Sequence, residues 1–336
     1  MAYYAYVIVA GENKILTYSL DPSSGKLDLL REMVLEGGPS NLAVSPDQQF
    51  MYVGLRANPG LATLRIDHGS GDLALQGEPV SLEEDPCCIA VDRTGRFVFS
   101  AHYQGRRIGV HPIGEDRRVT GPPVEWIETL VGAHCVQAHP SNRFVFLPHV
   151  DQSNAIFQFL FDEKTGKLTP NAVPRVDGYE GQGPRHYCYH PNLDVLYTSN
   201  EQASAITAYN LDVSAGTIES FQTVSTLPDG YSDTNSNAQI RITSSGKFVY
   251  VSNRGHDSIA GFAIDQKTGG VTALGQTPSE PTPRVFNIDP TDSFLYAAGQ
   301  GSNTLASYRI GDDGGLSALE TYPLGDNPMW VQILDL

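Results

Sequence analysis

The chain has 336 residues, with 22 basic against 38 acidic side chains, and its formal net charge is −16 at pH 7. This charge repels phosphate backbones and anionic lipid, so it argues against nucleic acid and membrane surfaces as partners, and any anion site must be a local basic pocket. The 33 glycines and 22 prolines favour many short strands joined by turns.

The N-terminal residues MAYYAYVIVAGENK lack the basic region and continuous apolar run of a secretion signal, and no stretch approaches 18 uncharged apolar residues. The chain contains no Cys-x-x-Cys pair; its four cysteines are Cys87, Cys88, Cys135 and Cys188. We therefore expect a reduced, cytoplasmic protein with no bound metal and no cofactor. The oligomeric state, monomer or weak dimer, is left open.

One pattern recurs along the chain, a strand end followed by a tight polar turn and then a β-branched or aromatic strand. VSPDQQFMYVG is its first copy and ITSSGKFVYVS a later one. Residue types of this kind predict β-hairpins rather than helices. The six copies begin at residues 44, 91, 138, 189, 242 and 288.

A second strand precedes each turn and occurs seven times, starting at residues 38, 85, 132, 183, 236, 282 and 327. Successive starts differ by 47, 47, 51, 53, 46 and 45 residues. A period of this length, with four predicted strands per repeat, is typical of propeller blades. The predicted fold is therefore an all-β, seven-bladed β-propeller of four-stranded blades, formed by residues 1–336 as a single domain.

The seventh copy, NPMWVQILDL, ends the chain without a following hairpin. The strands AYYAYVIVA and ILTYSL at the other end lack a preceding first strand. Pairing the two termini would complete the last blade and remove two open sheet edges. We therefore predict that the N- and C-terminal strands pair and close the ring.

Aligning the seven first strands places equivalent residues in columns. The third column lies at the start of the predicted innermost strand, where packing alone does not explain a histidine and two arginines, because an unpaired buried guanidinium is very costly. The seven residues of this column are Ser40, Cys87, His134, Arg185, Ala238, Arg284 and Met329.

A second column contains the residues at the ends of the second strands, and it includes Glu201 and Arg254. Glu201 follows Arg185 by sixteen residues in the same predicted blade. One antiparallel hairpin would bring these two side chains to neighbouring strand ends, so the spacing permits a carboxylate and a guanidinium in one pocket.

The segments GPRHYCYHPN, TSNEQASAITAYNL, TPRVFNID and NPMW, with the recurring D-x-x-T-G-x-L turns, resemble the seven-bladed lactonase family. That family includes bacterial 6-phosphogluconolactonases of the propeller type and fungal 3-carboxy-cis,cis-muconate lactonizing enzymes. The resemblance extends from Tyr6 to Trp330. It implies a site of one histidine, two arginines and one glutamate, which correspond here to His134, Arg185, Arg284 and Glu201.

This chain departs from the family pattern before its fifth first strand. The family pattern is Asp-Thr-Arg, whereas this chain has Asp233, Thr234 and Asn235, with Arg241 further along. The departure leaves the identity of the bound anion open.

Lactone hydrolysis requires an activated water, a polarised carbonyl and a proton for the departing hydroxyl. The predicted catalytic residues are His134, Glu201 and Arg185, with either His134 or Glu201 as the base and Arg185 beside the developing oxyanion. Arg284 is predicted to hold a phosphate or carboxylate of the substrate. Further candidates for substrate binding are His186, Arg241, Arg254 and Asn200.

The preferred prediction is a hydrolase that opens an anionic, small-molecule sugar lactone, with 6-phosphogluconolactone as the favoured substrate in the pentose phosphate pathway. One alternative is lactonization of 3-carboxy-cis,cis-muconate, and another is hydrolysis of a non-phosphorylated sugar lactone. A non-catalytic propeller scaffold is the alternative from another class. In that case Arg185 and Arg284 would form ion pairs between blades and His134 would be a core residue.

Overall fold

The computed structural model describes residues 2–336. Within them, the one helical element is the short 3-10 turn Ala10–Glu12, and the remaining regular structure is β-strand, as predicted. None of the described residues forms a helix with the length and apolar character required to span a bilayer.

The strands form seven antiparallel sheets. By its internal contacts the chain divides into two compact units. The first comprises Met1–Glu32, Arg185–Asp212 and Ile218–Leu336, and the second comprises Met33–Pro184 and Val213–Thr217. The single domain over residues 1–336 remains a prediction.

Four sheets belong wholly or mainly to the first unit, and each has four strands. The first sheet contains β1 (Tyr3–Val9), β2 (Lys14–Leu20), β3 (Leu27–Val34) and β29 (Pro328–Asp335). The next contains β17 (Pro184–Tyr189), β18 (Val195–Asn200), β19 (Ala205–Asp212) and β20 (Thr217–Ser225). It is followed by the sheet of β21 (Ser236–Ile242), β22 (Phe248–Arg254), β23 (Ser258–Ile264) and β24 (Val271–Pro278). The last contains β25 (Pro283–Ile288), β26 (Phe294–Gly299), β27 (Thr304–Ile310) and β28 (Leu316–Pro323).

The second unit contains the other three sheets. One has five strands rather than the predicted four, because a short extra strand pairs with its third strand. This sheet contains β4 (Pro39–Val44), β5 (Phe50–Leu55), β6 (Gly60–Ile66), β7 (Leu73–Leu75) and the extra strand β8 (Val80–Ser81). The second sheet contains β9 (Cys88–Val91), β10 (Phe97–His102), β11 (Arg107–Pro112) and β12 (Glu125–Glu128). The third contains β13 (Gln137–Ala138), β14 (Phe144–His149), β15 (Ala155–Asp162) and β16 (Lys167–Asp177).

The two ends of the chain meet in one sheet. Strand β29 pairs antiparallel with β1, and Gln332 lies opposite Tyr6 in the register. Every residue of β1 from Tyr4 to Val9 is buried, so this strand is internal to the sheet. The predicted pairing of the terminal strands is confirmed.

Buried tyrosines on the second strands link neighbouring sheets of the first unit. The hydroxyl of Tyr197 donates to the backbone oxygen of Gly269 at 2.7 Å, and Tyr250 donates to Gly314 at 2.8 Å. Gly269 belongs to a D-x-x-T-G turn and has a φ of +74°. A Cβ atom there would lie 2.7 Å from Val195, so the turn requires glycine both for its backbone conformation and for its close approach to the next sheet.

Candidate active site

Glu201 directly follows β18, and Arg185 lies near the start of the neighbouring strand β17. The structure brings the two side chains together, with 2.8 Å between Arg185 Nε and Glu201 Oε2. The Arg185 side chain is 3% exposed and that of Glu201 is 22% exposed. The ion pair is therefore largely shielded from water, while the carboxylate still reaches the surface of the site.

A second guanidinium, that of Arg254, binds the other oxygen of the same carboxylate. Its Nη2 atom lies 3.1 Å from Glu201 Oε1 and donates to the backbone oxygen of Asn237 at 2.8 Å. Its Nε donates more weakly to the backbone oxygen of Ser236, at 3.4 Å. These backbone oxygens, together with Glu201, fix the orientation of Arg254 at the end of β22.

The charges of the arginines determine the protonation state of Glu201. Burial opposes its ionisation, but the positive charges of Arg185, Arg254 and Arg284 outweigh burial and hold the pKa of the carboxyl below its usual value. Burial and the charge of Arg185 lower the pKa of Arg254 to about 10, so its guanidinium remains protonated at neutral pH. Glu201 is therefore a carboxylate surrounded by cations, and its basicity is reduced.

His134 belongs to the second unit. It is 5% exposed, and its backbone N–H donates to the backbone oxygen of Pro148 at 2.9 Å. Its ring meets that of Tyr103 edge to face, with centroids 6.0 Å apart, and the Tyr103 hydroxyl donates to Asp151. The imidazole is thus fixed in place by packing against an aromatic ring that is itself anchored.

The other predicted binding residues have different surroundings. Arg284 lies in β25, is partly exposed, and acts on Glu201 through its charge. Asn200 is fully buried: its amide nitrogen donates to Thr207 at 2.7 Å, and its amide oxygen accepts from Thr198 at 2.9 Å. The side chain of Asn200 is therefore engaged between strands β18 and β19, and its predicted contact with substrate remains a prediction.

Gln239, which was not predicted from the sequence, contacts both His186 and Arg241. Gln239 is almost completely buried in β21 and lies between the His186 ring and the Arg241 guanidinium. Arg241 also lies over the ring of Trp330, with 5.6 Å from its guanidinium carbon to the ring centroid. His186, Gln239 and Trp330 occupy the fourth column of the first-strand alignment, and reading that column as well as the third would have found them.

Asn235 stands where the resemblance leads one to expect arginine. Its amide nitrogen donates to Ser204 at 2.9 Å, and its amide oxygen accepts from the backbone N–H of His256 at 3.1 Å. Asn235 therefore ties together the loops beside Arg254 and supplies no charge. Among residues 2–336, no group of three or more histidine, cysteine or carboxylate side chains is arranged to hold a metal ion.

Comparison with known proteins agrees with this architecture. A model of the family described as Lactonase, 7-bladed beta-propeller, matches residues 3–333. A 6-phosphogluconolactonase of Pectobacterium carotovorum subsp. carotovorum (strain PC1) is 35% identical over 315 residues, which cover 94% of this chain and 93% of that protein. A 6-phosphogluconolactonase of Yersinia pestis is 32% identical over 330 residues, covering 98% and 97%.

A solved structure supports the fold independently. The periplasmic gluconolactonase of Pseudomonas aeruginosa matches with a TM-score of 0.92 at 22% sequence identity, covering 99% of both chains. The predicted fold class, an all-β seven-bladed propeller, is confirmed by this match, by the family model and by the seven sheets.

Proposed function

The chain belongs to the seven-bladed β-propeller lactonase family, and we propose that it hydrolyses 6-phosphogluconolactone to 6-phosphogluconate, a step of the pentose phosphate pathway. The relatives that are 32 to 36% identical over nearly the whole chain and bear the name 6-phosphogluconolactonase support this substrate.

The observation that carries the proposal is the excess of positive charge around Glu201. Three guanidinium groups act on one carboxylate, which leaves about two positive charges in a chain whose net charge is −16. Guanidinium groups bind phosphate and carboxylate through paired, charge-assisted hydrogen bonds. This local excess suits a substrate that carries an anionic group.

In the proposed reaction, water attacks the ester carbonyl, its oxygen forms a bond to that carbon, and the bond between the carbonyl carbon and the ring oxygen then breaks. The proton of the water goes to a base and the ring oxygen takes up a proton as it becomes a hydroxyl. Arg185 stabilises the oxyanion. Arg284, which is more exposed than Arg185, holds the phosphate.

The lowered pKa of Glu201 supports assigning the base to His134 and a positioning role to Glu201. A carboxylate that is ion-paired with Arg185 and accepts a hydrogen bond from Arg254 has little affinity for a proton at neutral pH. Imidazole has an ordinary pKa near 6.5 and is suited to proton transfer at neutral pH.

The reaction is tested by titration at constant pH with 6-phosphogluconolactone and gluconolactone, whose hydrolysis releases a proton, and with 3-carboxy-cis,cis-muconate, whose lactonization takes up a proton. We expect fastest turnover of the phosphorylated lactone. Turnover of the muconate alone would establish the lactonizing reaction instead, and no turnover of any compound would favour a scaffold. We also propose a reducing, cytoplasmic setting, which the four cysteines support because all of them are thiols.

A further inference from the structure

Gln239 lies between two side chains of different hydrogen-bonding character. One end of its amide lies 3.0 Å from His186 Nδ1, and the other end lies 2.8 and 2.6 Å from Arg241 Nη1 and Nη2. Gln239 is 1% exposed and His186 is 5% exposed, so water has little access to this arrangement. The hydrogen bonds of the Gln239 amide are therefore made to protein groups rather than to water.

The chemistry of arginine determines the orientation of the amide. A guanidinium has only donors, so the oxygen of Gln239 must face Arg241, and the NH₂ group must face His186. The NH₂ group has only donors as well, so His186 Nδ1 must accept. A neutral imidazole with an accepting Nδ1 carries its proton on Nε2, whereas an imidazolium has no accepting nitrogen.

The guanidinium of Arg241 also contacts the ring of Trp330. It lies over the ring at 5.6 Å, a distance at which a cation is attracted to an indole face. The Trp330 side chain is itself nearly buried, and its Nε1–H has no hydrogen-bond partner among the residues that the structure describes. An unsatisfied buried donor is unusual and marks a place where a bound molecule could accept a hydrogen bond.

We propose that Gln239 and Arg241 are positioning residues that hold His186 as the neutral, Nε2-protonated imidazole, and that His186 donates from Nε2 to an uncharged oxygen of the substrate. The second half of this inference rests on the proposed function, since the oxygen belongs to the sugar lactone. A neutral donor suits a hydroxyl or carbonyl oxygen, whereas the arginines around Glu201 suit the anionic group. His186 therefore adds specificity for the sugar rather than for its charge.

The tautomer is read without substrate, by long-range ¹H–¹⁵N correlation spectra of the full chain labelled at its histidines. The His186 signals are assigned by their absence in His186→Gln and by their contact with the Gln239 amide protons. We expect the Nε2-protonated tautomer at pH 7.5 in the wild type. An imidazolium or an Nδ1-protonated ring would overturn the proposal.

Gln239→Glu makes the test sharper, because a carboxylate beside Nδ1 can only accept. We expect this variant to convert His186 to an Nδ1-protonated or doubly protonated ring. The matched control is Gln332→Glu, which introduces the same charge on strand β29, where the amide of Gln332 donates to the backbone oxygen of Ile333. Its His186 spectrum should equal that of the wild type. An unchanged His186 spectrum in Gln239→Glu would refute the positioning role of Gln239. If that variant does not fold, the wild-type spectrum alone decides which tautomer His186 adopts.

The donor role is tested by kinetics on 6-phosphogluconolactone. Glutamine places an N–H near the position of Nε2, whereas leucine has no donor. We expect His186→Leu to raise KM about tenfold and His186→Gln to raise it about threefold or less, in keeping with the loss of one hydrogen bond. Equal KM values for the wild type and His186→Leu would overturn the donor role. An inactive wild type would overturn both the donor role and the proposed function, whereas the tautomer would still be decided by the spectra.

Discussion

Replacing Glu201 with glutamine removes the charge that holds two arginines together while keeping the shape of the side chain. In the wild type this carboxylate lies 2.8 Å from Arg185 Nε and 3.1 Å from Arg254 Nη2. The arginine side chains are 3% and 14% exposed, so they would face each other with little screening by water. We expect both the stability and the activity of Glu201→Gln to fall.

The size of the loss follows from the burial of the group. Removing one partner of a fully buried ion pair costs about 3–5 kcal/mol. Glu201 is 22% exposed, and its amide replacement keeps part of the hydrogen bonding, so a loss of about 2–3 kcal/mol is expected. With an unfolding entropy of about 2.1 cal/mol/K per residue, or roughly 0.7 kcal/mol/K for this chain, that loss lowers Tm by about 3–4 °C.

The assay is thermal unfolding with and without inorganic phosphate. In Glu201→Gln the unneutralised guanidinium groups should bind phosphate, so its Tm should rise more with phosphate than that of the wild type. Glu280→Gln is the matched control, since the Glu280 carboxylate accepts a hydrogen bond from Thr304 Oγ1 at 2.7 Å. If Glu201→Gln kept the Tm and phosphate response of both the wild type and this control, the argument from charge would be refuted.

Three further predictions concern other parts of the chain. Burial lowers the pKa of His102 to about 4, of His111 to about 3 and of His149 to about 4. In the unfolded chain these histidines take up a proton near pH 6.5, so their contribution to the free energy of unfolding is fully present above that pH and is lost as the pH falls towards 4. The loss is about 2 kcal/mol per histidine at pH 5. A Tm that does not change between pH 7.5 and pH 5 would contradict this prediction. Arg284→Ala should raise KM for 6-phosphogluconolactone about 10- to 150-fold with a smaller effect on kcat, and wild-type kinetics would remove Arg284 from the site. Deleting residues 327–336 removes β29 and exposes the edge of β1, so Tm should fall steeply, and an unchanged Tm would contradict a structural role for the terminal pairing.

The fold was largely predictable because it repeats. A residue pattern seen once is ambiguous, but six hairpins and seven first strands at nearly constant spacing predict blades, and the unpaired strands at Tyr3–Val9 and Pro328–Asp335 predict the terminal pairing. The short strand β8 was missed because only two residues pair, and their sequence carries no strand pattern. Its existence depends on the neighbouring strand β6 rather than on local preference.

The candidate site was predictable only in part. Arg185 and Glu201 could be paired from the sequence because they flank one hairpin, and local geometry brings them together. Arg254 was only a secondary candidate for binding the anion. Its contact with Glu201 joins two different sheets, and a pattern within one repeat cannot show that two residues of different sheets are close in space. Gln239 was missed for a similar reason. It lies 53 residues after His186, one repeat further along, where only an alignment of the fourth column places them side by side.

On the proposed function, this lactonase recognises a phosphorylated sugar lactone through arginines organised by Glu201. The most direct measurement is the ratio of kcat/KM for 6-phosphogluconolactone to that for gluconolactone, determined for the wild type and for Arg284→Gln. We expect the wild type to prefer the phosphorylated substrate by about 100-fold or more, as two charge-assisted contacts would give, and the preference to fall at least about tenfold in Arg284→Gln. Equal kcat/KM values for the two lactones in the wild type would contradict the account.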